Sequence, residues 1–108
     1  MNIYSDPDKF GLRVVREFDA SSGSYEFDLL VVWKREADDV LVFARDSGCS
    51  CPTPFENFGL GDLWPITNRS FVSFANAVEH HVKDAAPDVS VSAKSYVNSV
   101  QSDLFPPR

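Results

Sequence analysis

The sequence predicts an α+β domain, a three-stranded antiparallel β-meander packed against two C-terminal helices. Three observations lead there. The run Y-E-F-D-L-L-V-V-W-K (25–34) alternates with period two. Its apolar neighbours on either side are reached through short polar stretches, too short for the crossover that parallel strands need. Beyond residue 68 apolar residues recur every three or four positions, the spacing of a helix with one buried face. A chain of 108 residues makes one domain, 1–108. At that length roughly two thirds of the unfolded surface can be buried, so the fold stands without covalent staples.

Residues 1–10, with Pro7 among Asp6, Asp8 and Lys9, read as a partly flexible arm. They have neither the basic start nor the apolar centre of a secretory signal. The meander occupies 11–45. In L-R-V-V-R-E-F, Leu12, Val14 and Phe18 fall on one side and Arg13, Glu17 and Asp19 mostly on the other; Val15 breaks the pattern. A-S-S-G-S (20–24) is a turn by composition. In the next strand Tyr25, Phe27, Leu29, Val31 and Trp33 share a face, while Glu26, Asp28 and Lys34 mark the ends of the opposite one. Its middle, L-L-V-V, is apolar on both faces, as expected of a central strand covered on both sides. R-E-A-D-D (35–39) turns the chain into a third strand, V-L-V-F-A-R (40–45).

A Cys/Pro loop follows over 46–67, and two helices over 68–104. The first helix shows a stripe of Phe71, Phe74, Ala75, Val78, Val82 and Ala85, with Asn68 or Ser70 placed to cap its start. Pro87 ends it and biases Ala86 away from helix. The second stripe runs Val89, Ala93, Tyr96, Val97, Val100, Leu104. Its serines and β-branched residues are weak helix formers, so packing must hold it. Because Val89–Ser92 also alternates like a strand, the start of this helix stays open. F-P-P-R stops it.

The net charge of −6 is unevenly placed: residues 1–64 hold twelve acids and six bases, residues 65–108 four of each. Such a chain repels phosphate backbones and shows no basic cluster interleaved with aromatics, so nucleic acid is not an expected partner. Imitation of DNA by carboxylates is interrupted by Lys34, Arg35 and Arg45. No apolar run approaches the ~18 residues of a membrane span, so no membrane partner is expected either.

Chemistry concentrates in D-S-G-C-S-C-P-T-P-F-E-N-F (46–58), which contains both cysteines. Read plainly, Asp46, Ser47 and Gly48 turn the chain sharply, Pro52 and Pro54 stiffen an extended exit, and Phe55 and Phe58 anchor it. Zinc sites usually space their cysteines by two to four residues, and Cys49 and Cys51 have one residue between them. A metal, if held, would use Cys49, Cys51 and His81, with water or Asp46 completing the set. His80 points about 100° away from its neighbour on a helix. The expectation is no metal and no cofactor. A Cys49–Cys51 disulfide would close a small, strained ring that is easily reduced. A cysteine, His81 and Asp46 are the residue types of an activated nucleophile, but spacing alone does not bring them together. Asp38 and Asp39 sit in a polar turn rather than the dry pocket acid–base chemistry needs. Gly59-Leu60-Gly61 lacks the strand-to-helix setting of a phosphate loop. Asn68-Arg69-Ser70 fits a glycosylation sequon by chance. No catalytic residue is therefore assigned. Phe55, Phe58, Leu60, Leu63 and Trp64 either cap the core or form an apolar contact patch rimmed by Glu56, Asp62 and Arg69. They are the candidate interaction surface.

The order of V-V-W-K-R-x-x-D-D-x-L-V-F-A and D-S-G-C-S-C-P-T-P-F-E resembles a family of small proteins encoded by actinobacterial phages, mycobacteriophages among them. N-F-G-L-G-D-L-W-P-I-T (57–67) is similar to the segment that follows in that family, so the resemblance covers about residues 25–67. It implies a phage accessory protein in the host cytoplasm, a setting and not a mechanism. Joined to the acidic charge and the missing catalytic constellation, it leads us to expect a non-enzymatic module that contacts a host bacterial protein. Two alternatives stay open: a zinc- or thiol-dependent enzyme centred on Cys49, Cys51 and His81, and a homo-oligomeric structural component.

Overall fold

Leu30, Val31, Val32 and Trp33, in the middle of the longest strand, have no solvent-exposed surface. Successive strand residues point to opposite faces, so this sheet is covered on both. The computed structural model describes residues 2–21, 26–49, 54–83 and 87–104, with Cys49 described by its backbone alone. Strands β1 (Leu12–Asp19), β2 (Glu26–Arg35), β3 (Leu41–Cys49) and β4 (Trp64–Ile66) form one antiparallel sheet in chain order. Helices α1 (Phe71–His81) and α2 (Pro87–Leu104) follow.

The α+β class and the helix pair agree with expectation, but the sheet has four strands instead of three. The fourth, Trp64-Pro65-Ile66, pairs with Leu41–Phe43. Proline usually argues against a strand; at an edge it is tolerated because no further strand needs its missing N–H. The third strand is also longer than 40–45. Asp46, Ser47 and Gly48 do not turn the chain but pair with Leu29, Asp28 and Phe27.

One core lies under the helices. Leu30, Val32, Leu41, Phe43 and Ile66 of the sheet meet Phe74, Val78, Val82, Ala93, Tyr96 and Val100. The other face carries a second core of Leu12, Leu29, Val31, Trp33, Val42 and Ala44, closed by Ile3 and Phe55. The first ten residues are thus no loose arm over their described part. Ile3 is fully buried, and its carbonyl accepts the Trp33 indole N–H at 2.9 Å. The Asn2 side-chain oxygen accepts the amides of Tyr4 and Ser5, each at 2.8 Å, which sets the bend. Gly11, at φ 71°, then turns the chain into β1 in a region only glycine enters freely.

β1 serves both cores through a β-bulge. Val14 pairs with Trp33, but the next pair is Arg16 with Val32, so Val15 is the extra residue. Leu12 and Val14 therefore face the second core, while Val15 and Phe18 reach the helix side. That explains why a single-face reading of this strand left Val15 as an exception.

Pro87 opens α2 at its first position, where its missing N–H is no loss. Ser70 sits at the N-cap of α1 but makes no cap bond; its hydroxyl donates to the Pro65 carbonyl at 3.1 Å, tying the helix start to β4. At the other end of the molecule the Arg16 guanidinium grips both oxygens of Asp103, at 2.7 and 3.1 Å, and clips α2 to β1. Ser22–Tyr25 and Ala85–Ala86 lie outside the described residues.

Candidate functional site

Asp46 organises the segment that follows β3. Its Oδ2 accepts the Phe55 amide at 2.8 Å, and its Oδ1 the Ser47 amide at 3.0 Å. It pairs with Leu29, which places it on the face opposite the helices. Phe55 adopts φ 61°, an uncommon conformation for a non-glycine residue that surrounding contacts must hold. Those contacts are aromatic. Its ring centroid lies 5.3 Å from Trp33, 5.0 Å from Phe58 and 5.7 Å from Tyr4.

The five residues of the expected contact surface separate accordingly. Phe55 is fully buried and offers no surface, a correction to its place in that set; the fixed left-handed bend turns its ring inward. Phe58 and Leu63 are half-buried against the second core. Leu60 and Trp64 are exposed, at 54% and 63%. Leu60 opens a short 3-10 turn, Leu60–Asp62, fixed by the Asp62 carboxylate accepting the Gly59 amide at 2.8 Å. Trp64 pairs with Phe43 at the sheet edge, their rings 6.3 Å apart.

Beside Trp64 opens a cleft of about 400 Å³. Phe43 and Arg45 of β3 form its floor, Ala77 and His80 of α1 one wall, Trp64 and Phe58 the other. It lies at the sheet edge, between helix and loop. Sequence reasoning found Trp64 but not the cleft, because neither the short β4 nor the length of β3 was visible in local pattern.

The candidate chemical groups are placed differently. His81 meets a carboxylate, but that of Asp28: Nε2 lies 2.7 and 2.9 Å from its two oxygens. The pair joins the end of α1 to β2. Asp46 lies on the face opposite the helices, where it accepts the Phe55 amide, and so stands apart from His81 of α1. Cys49 ends β3 opposite Glu26; its side chain and all of Cys51 lie outside the described residues. Among the described residues no three His, Cys, Asp or Glu side chains gather as a metal would require. His80 is exposed and lines the cleft beside Trp64. Asp38 and Asp39 build the β2–β3 turn. Asp38 takes Arg35 in a bidentate pair at 2.8 and 2.9 Å, and Asp39 adopts φ 59°. The hydrogen bond from Arg35, aided by the Val40 amide, holds the Asp38 carboxyl below its ordinary range. Two tyrosines are shifted the other way. Burial, then the Glu17 carboxylate, raises Tyr4. Burial, then the charge of Glu17, raises Tyr96 far beyond the phenol range.

The chain belongs to the family described as Domain of unknown function (DUF7574), whose pattern matches residues 1–103. No curated protein and no solved structure matches it. Among the described residues no helix is long and apolar enough to cross a membrane.

Proposed function

We propose that this member of the DUF7574 family is a phage accessory domain that acts by contact with a protein of its bacterial host. The observation behind this reading is Trp64, 63% exposed on a three-residue edge strand and backed by the ring of Phe43. A tryptophan side chain has a large apolar surface and is among the residues most enriched at the energetic centres of interfaces. Leu60, 54% exposed, adds apolar surface from the same loop. The phage setting comes from the resemblance of residues 25–67, and the net charge of −6 would steer the domain toward a basic surface.

The experiment is affinity capture from an actinobacterial host lysate with the wild type and with Trp64→Ala. Because Trp64 is exposed, the variant should melt within a few degrees of the wild type. It should also lose, at least tenfold, a host protein that the wild type recovers near stoichiometrically. Identical recoveries from both proteins would sink the reading.

A further inference from the structure

We infer that the cleft beside Trp64 receives an extended peptide segment of the partner, added to the free edge of β3 as a fifth strand, with an acidic side chain opposite Arg45. This deepens the contact reading above and rests on it.

In an antiparallel sheet each residue directs both its N–H and its C=O to the same side, and successive residues alternate sides. The Val40 carbonyl accepts the Arg35 amide at 2.8 Å, so Val40 faces β2. By alternation Val42 and Ala44 face β2 as well, while Leu41, Phe43, Arg45 and Ser47 face away from it. Pro65, opposite Val42, agrees: it has no N–H, and its carbonyl accepts from Ser70 at 3.1 Å. β4 covers the outward groups of Leu41 and Phe43 and goes no further. Among the described residues no strand pairs with β3 beyond Phe43, so at Arg45 and Ser47 the edge has no ladder partner among them. The Ser47 amide is occupied by its neighbour, the Asp46 carboxylate. The Arg45 N–H and C=O and the Ser47 C=O then remain as the ladder groups without a strand partner among the described residues.

The cleft borders this edge: Phe43, Ala44 and Arg45 of β3 and Trp64 of β4 line it together with Ala77 and His80 of α1. Phe43, Trp64 and Ala77 supply its apolar part, against which a neighbouring apolar side chain of the peptide would pack. Charge selects the rest. Arg45 is exposed and has no ion-pair partner among the described residues, unlike Arg13, Arg16 and Arg35. His80 lies nearby, and Asp62, the cleft's acid, is engaged by the Gly59 amide. Opposite charges directly across a strand pair attract, and like charges repel. A second copy of this chain is disfavoured as occupant. Two edges pairing symmetrically about Arg45 would set arginine against arginine, and each copy has a net charge of −6.

The probe is a random library of linear twelve-residue peptides, selected against the whole protein. Enriched peptides should alternate apolar and polar residues around an Asp or Glu. The best of them, synthesised, should slow hydrogen exchange at the Arg45 amide at least tenfold. N-methylation of the peptide amides that face β3 should abolish binding, while methylation of the intervening ones should not. Arg45→Glu should weaken binding at least tenfold, with recovery when the peptide acid is changed to lysine. A library that enriches nothing overturns the proposal. So do binders that cover Trp64 and Leu60 without protecting the Arg45 amide, although the contact reading would then survive. Protection of that amide that grows with protein concentration, with no peptide present, would make a second copy the occupant and also overturn it. Loss of the Trp64-dependent host partner alone would strike the contact reading while leaving peptide binding to stand.

Discussion

Phe55 joins a backbone conformation that resists it to three aromatic neighbours and one carboxylate that hold it there. Removing the ring takes away both its burial and the force that keeps the bend. Phe55→Ala should therefore cost about 3–5 kcal/mol, as other deletions of buried phenylalanine do, measurable as a fall in urea midpoint. Tyr96 points the other way. Its hydroxyl is buried with no hydrogen-bond partner among the described residues. A buried polar group without a partner costs about 1–3 kcal/mol. The Phe74 and Phe18 rings nearby, 6.1 and 5.7 Å away, provide an apolar setting for the same ring without oxygen. Tyr96→Phe should leave the fold intact and raise its stability by about 1 kcal/mol, read by thermal or denaturant unfolding.

The elements are held together unequally. β2 is paired along most of its length with β1 and β3, whereas α2 reaches the sheet through its apolar face and the Arg16–Asp103 clip. That pair is partly exposed, 44% and 30% by side chain, so screening limits it. A double-mutant cycle of Arg16→Ala and Asp103→Ala should give a coupling of about 0.5–1 kcal/mol that shrinks with added salt. A coupling near zero would leave the apolar contacts of Ala93, Tyr96 and Val100 as the whole attachment. At this scale much of the fold was legible. L-L-V-V in β2 announced a strand covered on both faces, and the stripes of α1 and α2 announced the helix pair. β4 was not legible: three residues with a central proline have no period, and only the pairing with Leu41–Phe43 makes them a strand. The extension of β3 was hidden for a related reason. Asp46-Ser47-Gly48 has turn composition, and tertiary pairing with β2 overrides that local preference. The site was half legible, since aromatic density marked Trp64 and Phe55 alike. Backbone geometry turns one out and the other in, and composition does not record a φ angle.

For the molecule as a whole, acid should act partly through Asp19. Partial burial pushes its carboxyl up, but hydrogen bonds from the Ser21 amide and hydroxyl and from the Asp28 amide outweigh this and hold it below its ordinary value. A carboxyl whose folded pKa is depressed stabilises the fold fully above its unfolded value, about 3.9. That contribution disappears as pH falls through the folded value. Melting temperature should accordingly drop between about pH 5 and pH 2, and Asp19→Asn should make the drop shallower. An unchanged profile would show that Asp19 takes up its proton alike in the folded and the unfolded chain.

The extra residue in β1 has a consequence for how this chain can vary in length. Val15 acts like the offset of a crankshaft, letting one rod drive pistons on opposite sides. Loss of a single codon there would close the bulge into an unbroken ladder. Arg16 would still lie opposite Val32 and Phe18 opposite Leu30, each on its present side of the sheet, and what is lost is Val15's own contact with the helix layer. Descendants of this gene can therefore shed position 15 more readily than a position where the ladder is already unbroken.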